Sequence, residues 1–423
     1  MKQPIKKYIA ILLAVFLWVS PVNNHVMAAD ELPKIVSESA VLMDAKTGQV
    51  LYEKNMHMEL YPASITKILT ILLGIEHGNL QDMVTMSREA VFGILRGSSH
   101  IALAEGEKIT LEQALMAAML PSANDASNGI AEHISGSDLK FAQLMNQRAR
   151  EAGALNSNFI NPHGLPNDLH VSTAYDMAMI TRAALQNDKF REIFGTVRYT
   201  IPPTNKQPKS RDLWSEHRML TTKRFYYEGV IGGKTGYTQK SQNTLVTAAR
   251  RGDRELIAVV MKSQNYIVYT DTVALFDYGF NQFIETRIYP SNYVTPSRGN
   301  EETRVIQNIL SQNKDISVTR LLQKSISPEN IVVDYQLVDG QNAQPYLQIR
   351  MSVGAAGNWM YPDLGSLYIC TASSTGTIST QPGWTSIFLK IIKVLVYACL
   401  GIVVLLFVLR WCLKIHKSFF RGR

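Results

Sequence analysis

From Val394 to Leu409 the chain carries no charged residue, and a run of that kind has to be taken out of water. With Ile387 to Lys393 added it reaches about 23 residues, enough to cross a bilayer core with some tilt. A helix lying flat on a membrane fits poorly, because Val394–Leu409 is apolar on every side. Lys390 and Lys393 can reach up to one interface, and Arg410, Lys414, Lys417, Arg421 and Arg423 follow the run. The positive-inside rule then places the C-terminus in the cytoplasm and the bulk of the chain outside it. The expectation is one transmembrane helix over 387–411 and a basic cytoplasmic tail over 412–423, which together attach the protein to the cytoplasmic membrane.

The other end fits this topology. Lys2, Lys6 and Lys7 precede a short apolar run and then the small-residue stretch Val26-Met27-Ala28-Ala29. That is the pattern of a signal peptide over 1–28, and the run is short for a permanent anchor. Ten of the 43 Lys and Arg lie in these two end segments, which contain no acids, so 33 basic residues face 35 acidic ones in between. The overall charge of +8 therefore belongs to targeting and anchoring, and nothing points to nucleic acid. Cys370, Cys399 and Cys412 cannot form a disulfide framework. No His/Cys cluster has metal-ligand spacing; His163 and His170 come nearest and read as structural.

The exported part is long enough for two domains. Residues 40–54 read as a hairpin with Lys46-Thr47-Gly48 in its turn, and 62–77 as a helix with Pro62 in its first turn and Gly78 to stop it. Thr110 and Gln113 form a capping-box pattern ahead of a helix that stops at Pro121. Ser122-Ala123-Asn124 then lies on a connection before a helix over roughly 126–134. Further helices are expected at 138–152, 173–187 and 269–283, with 197–280 otherwise largely strands. Beyond 286, short alternating segments such as Tyr346–Val353 indicate a small β-rich domain over 287–371, followed by a Ser/Thr/Gly-rich linker over 372–386.

Three short motifs carry the chemistry, and each occurs more than once. S-x-x-K stands at Ser64/Lys67, Ser137/Lys140 and Ser311/Lys314; S-x-N at Ser122/Asn124, Ser241/Asn243 and Ser263/Asn265; K-T-G at Lys46 and Lys234. Context selects Ser64/Lys67. A serine in the first turn of a buried helix has unpaired backbone N–H groups beside its oxygen, and a lysine three residues on returns to the same face. A helix-capping serine is the competing reading of Ser64 taken alone. Lys234-Thr235-Gly236 lies in the strand segment GGKTGYT, where small residues let a substrate backbone pair with the strand edge.

Through YPASITKILT, GSSHIALAEGEKITLEQALMAAMLPSANDAS, NFINPHGLPNDLHVSTAYDMA and GGKTGYT, residues 32–285 resemble the serine D,D-carboxypeptidases among the low-molecular-mass penicillin-binding proteins, relatives of class A β-lactamases. The resemblance implies an α/β catalytic domain over 30–286, with an antiparallel sheet and a helical subdomain. It makes Ser64 the nucleophile, Lys67 its proton acceptor and Ser122 a proton relay. Asn124 then bonds the substrate backbone, Lys234 supplies positive charge, Thr235 holds the terminal carboxylate, and the backbone N–H groups of Ser64 and Tyr237 form the oxyanion hole. It also implies peptidoglycan stem peptides as substrate, β-lactam antibiotics as covalent inhibitors, and no cofactor. Ser215–Leu220 departs from the family pattern, which leaves Arg218 and Lys262 as candidates for a carboxylate-binding cation. A β-lactamase would need a deacylating carboxylate in E-x-x-L-N, and Glu151–Asn156 is one residue too long. The same three motifs also suit a D,D-endopeptidase or an inactive peptidoglycan-binding relative.

Overall fold

The computed structural model describes residues 32–293, 301–339, 345–353 and 365–370. The expected signal peptide, linker, membrane helix and tail lie outside them. Among the described residues no helix is long and apolar enough to cross a membrane. The chain forms two compact units: one runs up to Thr286 and includes Arg320–Ser327, the other holds Arg287–Thr319 and continues from Pro328.

The first unit is built on a five-stranded sheet. β1 (Ser39–Asp44) and β2 (Val50–Lys54) form the expected hairpin, and β3 (Val230–Thr238), β4 (Gln242–Arg251) and β5 (Arg254–Ser263) follow much later in the chain. The order is β2-β1-β5-β4-β3, antiparallel throughout. β1 is fully buried along its length because both faces of the sheet are covered. Its alternate residues enter different cores: Val41 and Met43 on one face, Ala40 and Leu42 on the other.

On the first face pack α1 (Lys67–His77), α2 (Leu111–Met119), α3 (Asn124–Ser135), α4 (Asp138–Glu151) and α5 (Ala174–Ala184), through residues such as Leu69, Leu115, Ile130, Phe141 and Met177. On the second packs α6 (Ile267–Gln282), through Leu275 and Phe276. The result is helix, sheet and helix in three layers.

Local chemistry explains most boundaries. Thr110 and Gln113 close the capping box ahead of α2, and Gly136, at φ +79°, ends α3. The expected helix over 62–77 is two pieces, a 3-10 turn at Ala63–Thr66 followed by α1. The one expected over 173–187 ends at Ala184. Asn187 then caps a separate helix, Asp188–Gly195, whose Phe190, Ile193 and Phe194 are buried.

The second unit contains the helix Glu301–Gln312 and a sheet ordered Ile331–Asp339, Pro345–Val353, Gly365–Cys370. Leu347, Ile349 and Met351 are buried along one face, as their alternation requires. The β-rich stretch read over 287–371 is corrected at 320–327, which folds with the first unit. Leu321 enters the second core there, and its backbone exchanges bonds of 2.9 and 2.7 Å with the side-chain amide of Gln49. The apolar pair Leu321-Leu322 is too short to reveal in sequence which core it joins.

Candidate active site

Ser64 lies in the 3-10 turn that leads into α1, and the turn is fixed from several directions. Leu60 and Ser172 exchange backbone bonds of 2.8 and 2.9 Å, and Thr244 Oγ1 donates to the Pro62 carbonyl at 2.9 Å. Thr66 Oγ1 lies 3.0 Å from His170 Nε2, and Thr70 Oγ1 donates to the Pro162 carbonyl at 2.6 Å. Because His170 Nδ1 accepts from Ile160 N, its proton sits on Nε2 and the ring donates to Thr66. Burial holds His170 neutral, with its pKa pushed down to about 4. Held in this way, Ala63 adopts φ +51° immediately before Ser64, a conformation that costs energy in a residue with a Cβ.

Lys67 is completely buried, and its ammonium meets three acceptors. These are Ser64 Oγ at 3.1 Å, Asn124 Oδ1 at 2.7 Å and the His163 carbonyl at 2.9 Å. The last comes from the segment NPHGLP, which ties itself into a turn through Asn161 Oδ1 and the Gly164 N–H at 2.7 Å. Burial, followed by the charge of Lys234, drives the Lys67 pKa well below its ordinary value. Ser122, at φ +62° and 2% exposed, stands on the connection between α2 and α3, and its hydroxyl finds no hydrogen-bond partner among the described residues. Asn124 is the first residue of α3, so that helix starts two residues earlier than the sequence indicated.

The K-T-G residues lie on β3, the edge strand of the sheet. A Cβ at Gly236 would stand 2.9 Å from Ser64 N and 2.4 Å from Thr244 Oγ1, so only glycine lets the strand lie against the Ser64 turn. At Gly233 a Cβ would come within 2.1 Å of His217 Nε2. The small residues of this strand therefore also make room for the protein's own groups. Lys234 is buried and donates to the Thr235 carbonyl at 3.0 Å. Burial lowers its pKa to about 8, against the opposing pull of Glu216. Tyr237 is exposed at the end of the motif.

The rival motifs lie elsewhere. Ser137 caps α4 by accepting from Lys140 N, Lys46-Thr47-Gly48 is a hairpin turn, and Ser311 bonds back to the Asn308 carbonyl near the end of its helix.

A family model described as D-alanyl-D-alanine carboxypeptidase matches residues 25–265. The chain belongs to the D-alanyl-D-alanine carboxypeptidase family. The D-alanyl-D-alanine carboxypeptidase DacF of Bacillus subtilis is 36% identical over 269 residues, 60% of this chain and 65% of that protein, so the match spans just under two thirds of that relative. The D-alanyl-D-alanine carboxypeptidase structure from Mycobacterium tuberculosis is similar with a TM-score of 0.53 at 28% identity, covering 59% of this chain and 93% of its own. Penicillin binding protein 6B from Escherichia coli is similar with a TM-score of 0.59 at 25% identity, covering 81% and 97%.

The span matched to the carboxypeptidase family includes the segment Ser215–Leu220, and the structure brings two of its residues into the site. His217 is buried against Thr247 Oγ1 at 2.9 Å, with its pKa lowered to about 3 by burial and then by Lys234. Glu216 is exposed, and its Oε2 lies 3.4 Å from Thr235 Oγ1. Sequence reasoning assigned neither a role; the departure of Ser215–Leu220 from the family pattern was the available signal. Arg218 is exposed, with its guanidinium 4.5 Å from the centre of the Tyr266 ring. Lys262, the other carboxylate candidate, is paired with Glu38 at 2.9 Å.

Proposed function

We propose that this protein is a serine D-alanyl-D-alanine carboxypeptidase acting on peptidoglycan stem peptides. The observation that carries this reading is the environment of Lys67. As an ammonium it donates to three acceptors. As a neutral amine it retains two N–H groups, enough for the shorter bonds to Asn124 and His163, and its lone pair then turns to the Ser64 hydroxyl. Burial and the charge of Lys234 favour that neutral form. A buried lysine in this setting is a general base, and the serine beside it a nucleophile.

Ser64 Oγ attacks the carbonyl of the penultimate D-alanine while its proton passes to Lys67. The C–N bond then breaks, the proton returns to the departing amine by way of Ser122, and D-alanine leaves. Water cleaves the resulting ester and restores Ser64. The N–H groups of Ser64 and Tyr237 stabilise the oxyanion. Asn124 offers its amide N–H to the substrate backbone, which pairs with the open edge of β3. Lys234 and Thr235, with Arg218 nearby, receive the terminal carboxylate. A β-lactam enters the same path and remains on Ser64 as a stable ester.

This chemistry belongs outside the cytoplasmic membrane, with a signal peptide over 1–28 directing export and a helix over 387–411 anchoring the product. Protease added to intact spheroplasts then degrades the catalytic unit; its complete protection contradicts this topology.

Fluorescent penicillin labelling and D-alanine release from a peptide ending in D-Ala-D-Ala test the assignment together. Ser64→Ala abolishes both, Lys67→Ala slows acylation by about 10²–10⁴-fold, and Ser137→Ala and Ser311→Ala retain both. Wild-type protein that takes no label and releases no D-alanine overturns the reading in favour of an inactive relative, and rapid penicillin hydrolysis overturns it in favour of a β-lactamase. Against a β-lactamase, Glu151 ends α4 exposed and bonded to Gln147.

A further inference from the structure

Asp125 follows Asn124 in the first turn of α3 and is almost completely buried. Its carboxylate forms no ion pair among the described residues and is met by backbone N–H groups instead. Ile101 N lies 3.3 Å from both oxygens, Leu103 N donates to Oδ2 at 3.1 Å and Ala126 N to Oδ1 at 2.9 Å. Beside it the backbone N–H of Asn124 donates to the Ser99 carbonyl at 2.9 Å. The irregular segment Ser99–Leu103 is thereby tied to the start of α3 at three points, with Ala102 held at φ +55° between two of them.

A charge in this place needs a reason. Burying a carboxylate without a cation is costly. Lys67, driven toward its neutral form chiefly by burial and then by Lys234, is also pulled back toward the ammonium by Asp125, against the proposed chemistry. A neutral asparagine would lower both costs. It would also turn an NH2 group toward N–H donors, because only a carboxylate offers acceptors on both oxygens. The N–H groups that Asp125 holds, two of them from one segment, therefore account for its charge.

What Asp125 holds leads to the base. Asn124 Oδ1 accepts from Lys67 Nζ at 2.7 Å, and with the His163 carbonyl it takes the two N–H groups of the neutral amine, which leaves the lone pair directed at Ser64. A rotation of the Asn124 amide would let that lone pair turn away. We propose that Asp125 is a positioning residue: by clamping Ser99–Leu103 to the start of α3 it fixes the Asn124 amide, and through that amide the direction in which Lys67 accepts the Ser64 proton. The inference rests on the carboxypeptidase reading above and adds to it a residue that acts only through another.

The test compares the full-length protein with Asp125→Asn and Asp125→Ala, using fluorescent penicillin over a range of concentrations. The first-order acylation constant at saturating penicillin falls by about tenfold in the asparagine variant and about 10²-fold in the alanine variant, while the fraction of molecules that finally take label stays that of the wild type. Hydrogen exchange at the Ile101 and Leu103 amides becomes faster in both. Asp125→Asn, which keeps the shape of the side chain, decides the matter if the alanine variant does not fold. If the labelled fraction or the melting temperature falls but the molecules that label do so at the normal saturated rate, Asp125 only supports the fold and the inference fails. It fails equally if the loss is confined to the concentration needed for half-saturation, which assigns Asp125 to binding, or if exchange at the two amides is unchanged. Wild-type protein that takes no label overturns the carboxypeptidase reading itself, whereas normal acylation in the variants overturns this inference alone.

Discussion

At the scale of single residues, the proposed catalysis requires two lysines to hold different charge states within one buried site. Lys67 has to be neutral to accept the Ser64 proton, and Lys234 has to be charged to draw an anion. With Lys234 at about 8, its charge is complete below that pH and is lost as pH rises through it. The alkaline limb of kcat/KM is therefore expected near pH 8, and the acid limb where Lys67 gains its proton. Lys234→Arg, whose side chain does not titrate in this range, removes the alkaline limb while the acid limb persists. A profile measured with a small D-Ala-D-Ala peptide checks this, and an unchanged alkaline limb in the arginine variant assigns it to another group. These assignments were partly legible in the sequence. The S-x-x-K spacing recurs three times, and it was the buried-helix context of Ser64 and Lys67 that singled them out; in the structure Lys67 Nζ lies 3.1 Å from Ser64 Oγ. Glu216 and His217 were not legible in the same way, because their approach to Thr235 and Gly233 depends on how a short irregular segment crosses in front of β3.

At the scale of elements, the site is a meeting of a turn, a strand and three loop segments, and its tolerance is set by backbone contact. Gly236→Ala is expected to slow penicillin acylation by about 10²-fold, because the added Cβ pushes β3 off the Ser64 turn and misplaces the oxyanion donors. Thermal unfolding of the variant, read alongside the labelling rate, separates a displaced strand from an unfolded one. Retention of full labelling would show that the turn and strand can part without consequence. The helices and hairpin could be read from sequence where caps and periodicity agreed, as at Thr110–Gln113 and Lys46–Gly48. The reading was less accurate where a second rule intervened. The 3-10 turn at Ala63–Thr66 arises from bonds to Ser172 and Thr244 that come from distant segments. The break between Ala184 and Asp188 depends on a cap at Asn187 that sits within a continuous helical pattern.

At the scale of the whole molecule, the catalytic unit needs residues that lie beyond its apparent end. Arg320–Ser327 contributes Leu321 to the second core and two bonds to Gln49, together worth roughly 3 kcal/mol. A chain ending at Thr371 is expected to retain turnover on a small peptide, whereas one ending at Thr286 unfolds roughly 5–10 °C lower. Equal midpoints for the two truncations, by calorimetry, would show that the segment adds nothing to the unit. The sheet order has a further consequence, which concerns time. β1 lies beside β5, with Ser39 opposite Met261, so the first hairpin to be synthesised waits about 220 residues for its central partner. Closing a loop of that length is slow, and no sheet with a covered face can form before it closes. The leading part of the nascent polypeptide therefore stays pliable until almost all of the unit has been made, which is the condition a chain must satisfy to be threaded through a narrow channel before it folds.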